Sequence, residues 1–187
     1  MLSPMLGGPS EHPELWTFLE SLRPGENLSG TIAAIERFGV FVALDDGPAH
    51  PAFAGVGFIT APELSWRRFS DASDVVHVGQ RVSCMFLQFD TWNLEARLSL
   101  RATQPDPFQA FADDAALGQE LTGPVTKIVP IGAFVQVADG VEGLVRAREF
   151  AGTGVAALGD AVKVGDQLAV IVTELDRERR RLVLALR

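Results

Sequence analysis

Short apolar runs, each closed off by glycine or aspartate, recur along the chain from about residue 26 to its end. Val, Ile, Leu and Phe dominate these runs. Alternation is clear in Val135-Gln136-Val137 and in Leu182-Val183-Leu184-Ala185-Leu186. A period of two bounded by Gly and Asp marks strands with one buried face. The pattern predicts strands near 26–35, 39–44, 56–60, 81–89 and 96–100, and a second set near 119–128, 132–137, 142–146, 167–175 and 181–186. No helix-length amphipathic segment falls inside either set. Short helical turns are expected around Pro62–Phe69 and Ala147–Leu158. Ahead of the first set, His12–Leu22 predicts a short helix, with Pro13 at its first position and an apolar stripe of Leu15, Phe18, Leu19 and Leu22. Trp16 then packs on the first set of strands or on the connection between the sets.

The two sets are copies of one another. GENLSGTIAAIERFGVFVAL from Gly25 aligns without gaps on GQELTGPVTKIVPIGAFVQV from Gly118, an offset of 93. The offset falls to 86 further on, where GFITAPEL at Gly57 meets GLVRAREF at Gly143 and VGQRVSCMFLQFD meets VGDQLAVIVTELD. The first copy therefore carries seven extra residues within DDGPAHPAFAGV, a Gly-, Pro- and Ala-rich surface loop. Two alignments of the last hairpin remain open. One matches Arg97 to Arg181 and gives the first copy two extra residues; the other has no gap and matches Arg101 to Arg187.

A small sheet with one apolar face closes into a barrel to avoid open edges. The expectation is an all-β chain of two tandem five-stranded barrels joined by a short, partly helical linker. Its parts are an N-terminal extension (1–22), a first barrel (23–102), the linker (103–117) and a second barrel (118–187). In the linker, TQPDPFQAFADDAA places Phe108 and Phe111 to anchor it on a barrel. Gly39 and Gly132 sit at matching turns between first and second strands. Each allows a tight turn that sets the next Phe on the barrel face, or is a plain bulge glycine.

Net charge is -8, which argues against a protein that coats nucleic acid by bulk charge. The distribution is uneven: residues 1–117 hold 7 Lys/Arg and 15 Asp/Glu, a balance of -8, whereas residues 118–187 hold 9 of each. Phosphate attraction is therefore expected mainly in the second half. Cys84 is alone, which rules out an internal disulfide, and a reducing cytoplasm is the default expectation. No apolar run reaches the length of a membrane span, and the first residues do not read as an export signal.

Catalytic patterns are weak. His12, His50 and His77 are scattered, no His or Cys pair has metal-ligand spacing, and neither a phosphate loop nor a nucleophile elbow is present. The pairs Asp45–Asp46 and Asp113–Asp114 read as loop solvation. No enzyme activity, cofactor or metal is expected.

Single-strand sites combine stacking rings with nearby cations. Phe38 and Phe41 flank Gly39. If Val40 and Val42 point inward, strand parity turns Phe41 outward, where it can stack on a base; the same parity places Phe134 outside and Val135 and Val137 inside. The competing assignment for each ring is core packing. Arg37 and Arg97 are the candidate cations of the first copy. Lys127, Arg146, Arg148 and Arg181 are those of the second, against the plainer alternative of a solvated strand face. In the run Arg177–Arg181, the first residues belong to a hairpin tip and Arg181 opens the last strand.

At these residues the chain resembles tandem RNA-binding repeats of the bacterial ribosomal protein S-one type, an oligonucleotide-binding (OB) fold. The motifs are GTIAAIERFGVFVAL, GFITAPELSW, VHVGQRV and DTWNLEARLSL in the first copy. The second copy reads GPVTKIVPIGAFVQV, GVEGLVRAREF, VKVGDQL and DRERRRLVLAL, with DPFQAF between them. The resemblance covers residues 23–187 and implies binding of single-stranded RNA. It implies stacking by Phe38, Phe41 and Phe134 and contacts from Arg97 and Arg181. The chain departs from the family at Thr60, where a His is usual, at Ile131, where a ring is usual, and at Arg146, which stands at the second His position. Val183 and Ala185 replace serines, whereas Ser99 is retained. The expected RNA-binding set is Phe38, Phe41, Arg97, Lys127, Phe134, Arg146, Arg148 and Arg181. The expected partner is single-stranded RNA, with the small ribosomal subunit or another translation or RNA-processing protein as a further partner. The alternative is a protein-interaction adaptor with weak residual RNA binding, motivated by the acidic first half, Thr60 and Ile131.

Overall fold

A computed structural model describes residues 7–150 and 158–187. The chain divides into two compact units, residues 1–105 and 106–187.

In the first unit the strands are β1 (Asn27–Glu36), β2 (Gly39–Leu44), β3 (Gly57–Thr60), β4 (Arg81–Asp90) and β5 (Glu95–Ser99). They close into a barrel in the order β1-β2-β3-β5-β4. In the second, β6 (Glu120–Val129), β7 (Gly132–Ala138), β8 (Val141–Arg146), β9 (Gln167–Asp176) and β10 (Arg181–Leu186) close in the same order, with β8 and β10 parallel. This is the five-stranded OB barrel that the repeat predicts. Apolar residues on alternate positions fill each interior. Ile32, Val40, Val42, Ile59, Phe86 and Leu98 are buried in the first core, and Val125, Val135, Val145, Val172 and Leu184 in the second.

The copies match down to their irregularities. A bulge lies between Ile32 and Ala34 and again between Val125 and Lys127. Gly39 (φ 157°) and Gly132 (φ 151°) have positive φ, and a Cβ on either would collide with a carbonyl oxygen of the neighbouring strand, that of Ile59 on β3 or Val145 on β8. Only glycine fits there, which fixes the placement of the residues that follow.

The last hairpin settles the alignment left open by sequence. Ala96, Arg97 and Leu98 pair with Gly57, Phe58 and Ile59, while Val183 and Leu184 pair with Leu144 and Val145. Arg97 faces Gln88 on β4, and Val183 faces Glu174 on β9. Leu94 (φ 55°) and Arg180 (φ 52°) hold the same left-handed place in turns of equal length. The alignment is therefore the ungapped one: Arg97 corresponds to Val183, and Arg181 corresponds to Glu95. The match of Arg97 to Arg181 is corrected, because the arginine-rich hairpin permits a sequence gap that the ladder does not.

The helix expected at His12–Leu22 is α1 (Pro13–Ser21), which seats Leu15 and Leu19 in the first core. Trp16 packs against this same barrel, edge-on to Phe89 with ring centroids 5.0 Å apart. Between β3 and β4 the chain forms α2 (Ala61–Leu64) and a single 3-10 turn (Ala72–Asp74). The second unit opens on α3 (Pro107–Asp114), started by the Asp106 side chain accepting from the Phe108 N–H. Phe108 and Ala112 are buried in the second core, and Phe111 packs partly against it. Arg177 holds Asp113 at 2.6 Å, and Arg180 pairs with Asp106 while lying over the Phe108 ring. At an offset of 93, Phe108 and Ala112 take the places of Leu15 and Leu19. Each barrel is thus plugged by its own preceding helix, so the repeat is longer than the barrel motifs indicate. After β8 come a 3-10 turn (Ala147–Glu149) and α4 (Leu158–Ala161); residues 151–157 of the expected helical turn lie outside the described residues.

Candidate nucleic-acid interface

Strand parity holds in both barrels. Val40 and Val42 are fully buried, as are Ala133 and Val135, so Phe41 and Phe134 point away from the interior. Val137 is half-buried against the second core. What covers the two outward rings differs, and the difference comes from the seven-residue insertion.

In the first barrel Phe41 is only 4% exposed. The expectation that it stands open is overturned. Phe53, from the loop between β2 and β3, stacks on it with centroids 5.0 Å apart and planes at 21°. Phe58 lies against it at 5.0 Å. His50 also stacks on Phe53, at 4.7 Å and 21°. Phe38 is open, 61% exposed, and touches Phe41 edge-on and Phe58 tilted.

Arg97 belongs to the same cluster. Its guanidinium lies 4.8 Å from the centre of the Phe58 ring, pairs with Asp90, and reaches Glu95 at 3.4 Å. Burial opposes ionisation of Asp90, but the Arg97 guanidinium and the N–H groups of Trp92 and Asn93 outweigh it and hold its carboxyl below the usual range. Glu95 is buried, and burial pushes its carboxyl up to about 7. Arg97 is therefore held by the Asp90 carboxylate and the Phe58 ring, with the Glu95 carboxyl alongside. Thr60, opposite Gly39, adds no ring or charge.

In the second barrel the insertion is absent and Phe134 is half-buried, with part of its ring open to solvent. Lys127 faces it directly across the β6–β7 ladder and is exposed. Facing residues in an antiparallel pair share one side of the sheet, so ammonium and ring lie together on the outer face. Phe134 and Ile131 line a groove of about 750 Å³ with Arg146, Arg148, Arg179 and Arg181 on its walls. Ile131, at the place of Phe38, is 64% exposed and offers apolar surface without a π face.

Arg146 and Arg181 converge on one carboxylate, Glu174, at 3.5 and 3.4 Å. Such long, half-exposed pairs are weak. Both guanidiniums remain accessible, and the Arg148 side chain is 72% exposed with Glu149 at 3.7 Å. The arrangement can take an aromatic base on Phe134 and phosphate oxygens on the surrounding cations. Sequence reasoning missed Phe53, His50, Phe58, Glu95 and Glu174. The first two lie in the insertion, whose aromatic content was the available signal; Glu174 faces the last strand at a position that only the corrected register reveals. Among the described residues, no cluster of three or more His, Cys, Asp or Glu could hold a metal ion, and no helix is long and apolar enough to cross a membrane.

Two closed OB barrels, one presenting a ring amid cations, define a tandem nucleic-acid-binding module. The chain belongs to the S1 RNA binding domain family, whose model matches residues 21–101 and 114–187. The family is one of RNA-binding modules and not of catalysts. Small ribosomal subunit protein bS1 of Mycobacterium tuberculosis is 42% identical over 171 residues, covering 91% of this chain and 34% of that protein. The bS1 protein of Neisseria meningitidis is 31% identical over 90% of this chain and 29% of its own length. This chain thus spans about a third of the length of the curated relatives it matches. Among solved structures, GSP13 from Bacillus subtilis shares 31% identity over 40% of this chain and 57% of its own, with a TM-score of 0.36.

Proposed function

We propose that the chain binds single-stranded RNA without catalysis, through the groove of its second barrel. Phe134 stacks on a base, Ile131 supplies apolar support, and Lys127, Arg146, Arg148 and Arg181 meet the phosphates. The observation that carries this reading is the outward-facing, half-buried Phe134 with Lys127 facing it in register and a cationic groove beside it. In the first barrel Phe38 is accessible, while Phe41 and Arg97 are occupied within the fold. The bS1 relatives are ribosomal proteins, which supports a role linked to translation or RNA metabolism, in the cytoplasm, with the small ribosomal subunit as a further partner.

Fluorescence anisotropy with a labelled single-stranded oligoribonucleotide at about 50 and 200 mM salt tests this. Binding is expected to weaken with salt. Phe134→Ala is expected to lower affinity about 5- to 150-fold, the range for one base–ring stack. Absence of salt-dependent binding at micromolar protein, together with no effect of Phe134→Ala, rejects it.

A further inference from the structure

The insertion between β2 and β3 is fastened to the barrel. His50 is buried, and both of its ring nitrogens are engaged. Nδ1 accepts from the backbone N–H of Ala52 at 3.1 Å and of Phe53 at 3.0 Å, and Nε2 donates to the carbonyl of Asn93 at 2.9 Å. That set of partners requires the neutral imidazole with its proton on Nε2. Asn93 belongs to the β4–β5 turn, which Asp90 ties down through the N–H groups of Trp92 and Asn93. On its return leg the loop lies flat against β2: a Cβ on Gly55 would collide with the backbone of Val42. The clasp thus joins the loop to β2 and to the β4–β5 turn, and holds Phe53 face to face with Phe41.

The second repeat shows what this position looks like without the insertion. Phe134, at the place of Phe41, is partly exposed and bordered by cations. A ring stacked on Phe41 at 5.0 Å and 21° has the geometry that a nucleobase would adopt on the same platform.

We infer that the loop of residues 45–56 is an intramolecular occupant of the first barrel's stacking position, with Phe53 lying where a base would lie and His50 clasping it there. The inference rests on the RNA reading above and deepens it: strand recognition falls to the second barrel while the loop is closed, and Phe41 becomes available only when the loop lifts. Ring–ring and base–ring stacking are of comparable strength, so an RNA base must displace Phe53 to gain little, and the closed loop discriminates against it. Arg97 reinforces this, because its charge is already matched by Asp90, with Glu95 alongside.

Anisotropy titrations of the full chain with the same oligoribonucleotide test the proposal. Two variants open the platform: Phe53→Ala, and deletion of Pro48–Ala54, which restores the loop length of the second repeat. Thermal unfolding identifies which of them are folded. Each folded variant is expected to bind RNA about 5-fold more tightly or better, the contribution of one added stack, and adding Phe41→Ala is expected to remove that gain. In the unaltered chain, 4-thiouridine-substituted RNA is expected to crosslink within residues 131–146 and not at Phe41. Unchanged or weaker binding by a folded open variant overturns the proposal. So does a gain that survives Phe41→Ala, or a crosslink at Phe41 in the unaltered chain, which also serves if neither variant folds. Should the unaltered chain fail to bind RNA and be indifferent to Phe134→Ala, the RNA reading itself falls. Binding lost through Phe134→Ala, with no gain on opening the loop, defeats the loop inference alone.

Discussion

Glu95 and Arg181 occupy the same rung of their barrels: each is the first residue of the last strand and lies opposite the aspartate that ends the strand before it, Asp90 or Asp176. The two copies therefore carry opposite charge at one structural position. In the first, the carboxyl is buried beside Arg97; in the second, the guanidinium stands half-exposed on the wall of the groove. The difference parallels the charge balance of the two halves.

Glu174 bridges Arg146 and Arg181 and competes with phosphate for both. Glu174→Gln is expected to tighten RNA binding and steepen its salt dependence. Arg146→Ala and Arg181→Ala are each expected to weaken binding and reduce the slope of log affinity against log salt by about 0.7, the value for one single-strand phosphate contact. Titrations across a salt series measure both effects.

Glu95 makes the first barrel sensitive to pH. Its carboxyl in the fold is pushed to about 7 from an ordinary 4.5. The folded form holds the proton more tightly, so this contribution to stability is fully present below about 4.5 and is lost as pH rises through about 7. Glu95→Gln is expected to raise the melting temperature of the first barrel at about pH 8 by roughly 4 to 8 °C, the shift that about 1 kcal/mol produces in a domain of this size, and by less at about pH 5. Calorimetry at the two pH values provides the check.

His50 responds in the opposite direction. Burial lowers its pKa below the ordinary 6.5, the Asn93 carbonyl opposes this, and His12 adds to the lowering. Glu11, His12 and Glu14 line the same cleft as His50. Below about pH 6.5 the unfolded chain takes up a proton that the closed loop resists, so the loop's stability falls as the solution is acidified. Amide protection factors at Ala52 and Phe53, measured by NMR exchange and corrected for the intrinsic rate at each pH, are expected to fall between about pH 7.5 and 5. His50→Ala is expected to lower them at every pH.

Cys84 lies on β4 with no exposed surface, and burial pushes its thiol up to about 12. No thiolate is available at neutral pH, so an aromatic disulfide reagent is expected to leave the native protein unlabelled and to titrate one thiol in denaturant. Absorbance of the released thiolate reports the outcome.

Most of the strand pattern was legible because it is local: apolar alternation, punctuating Gly and Asp, and the repeat itself locate all ten strands and the inward valines. The helix ahead of each barrel was also visible as a stripe. Its membership of the repeat was not, since Leu15 and Leu19 are replaced by the dissimilar Phe108 and Ala112. What escaped depends on contacts between distant residues. The shielding of Phe41 is made by a bond between His50 and Asn93, 43 residues apart, that no periodicity encodes. The correspondence of Arg97 stayed ambiguous because Arg179, Arg180 and Arg181 are adjacent; only the pairing of β5 with β3 and β10 with β8 resolves it. A glutamate inside an apolar strand gave no periodic signal that it would be buried.

The helix that stoppers each barrel has a consequence for handling the molecule. With α3 built into the second core, a fragment begun at Gly118 leaves a socket shaped for Phe108 empty and deprives Arg177 and Arg180 of their acidic partners. Scission between Pro105 and Asp106 avoids this, because each resulting half retains its own stopper.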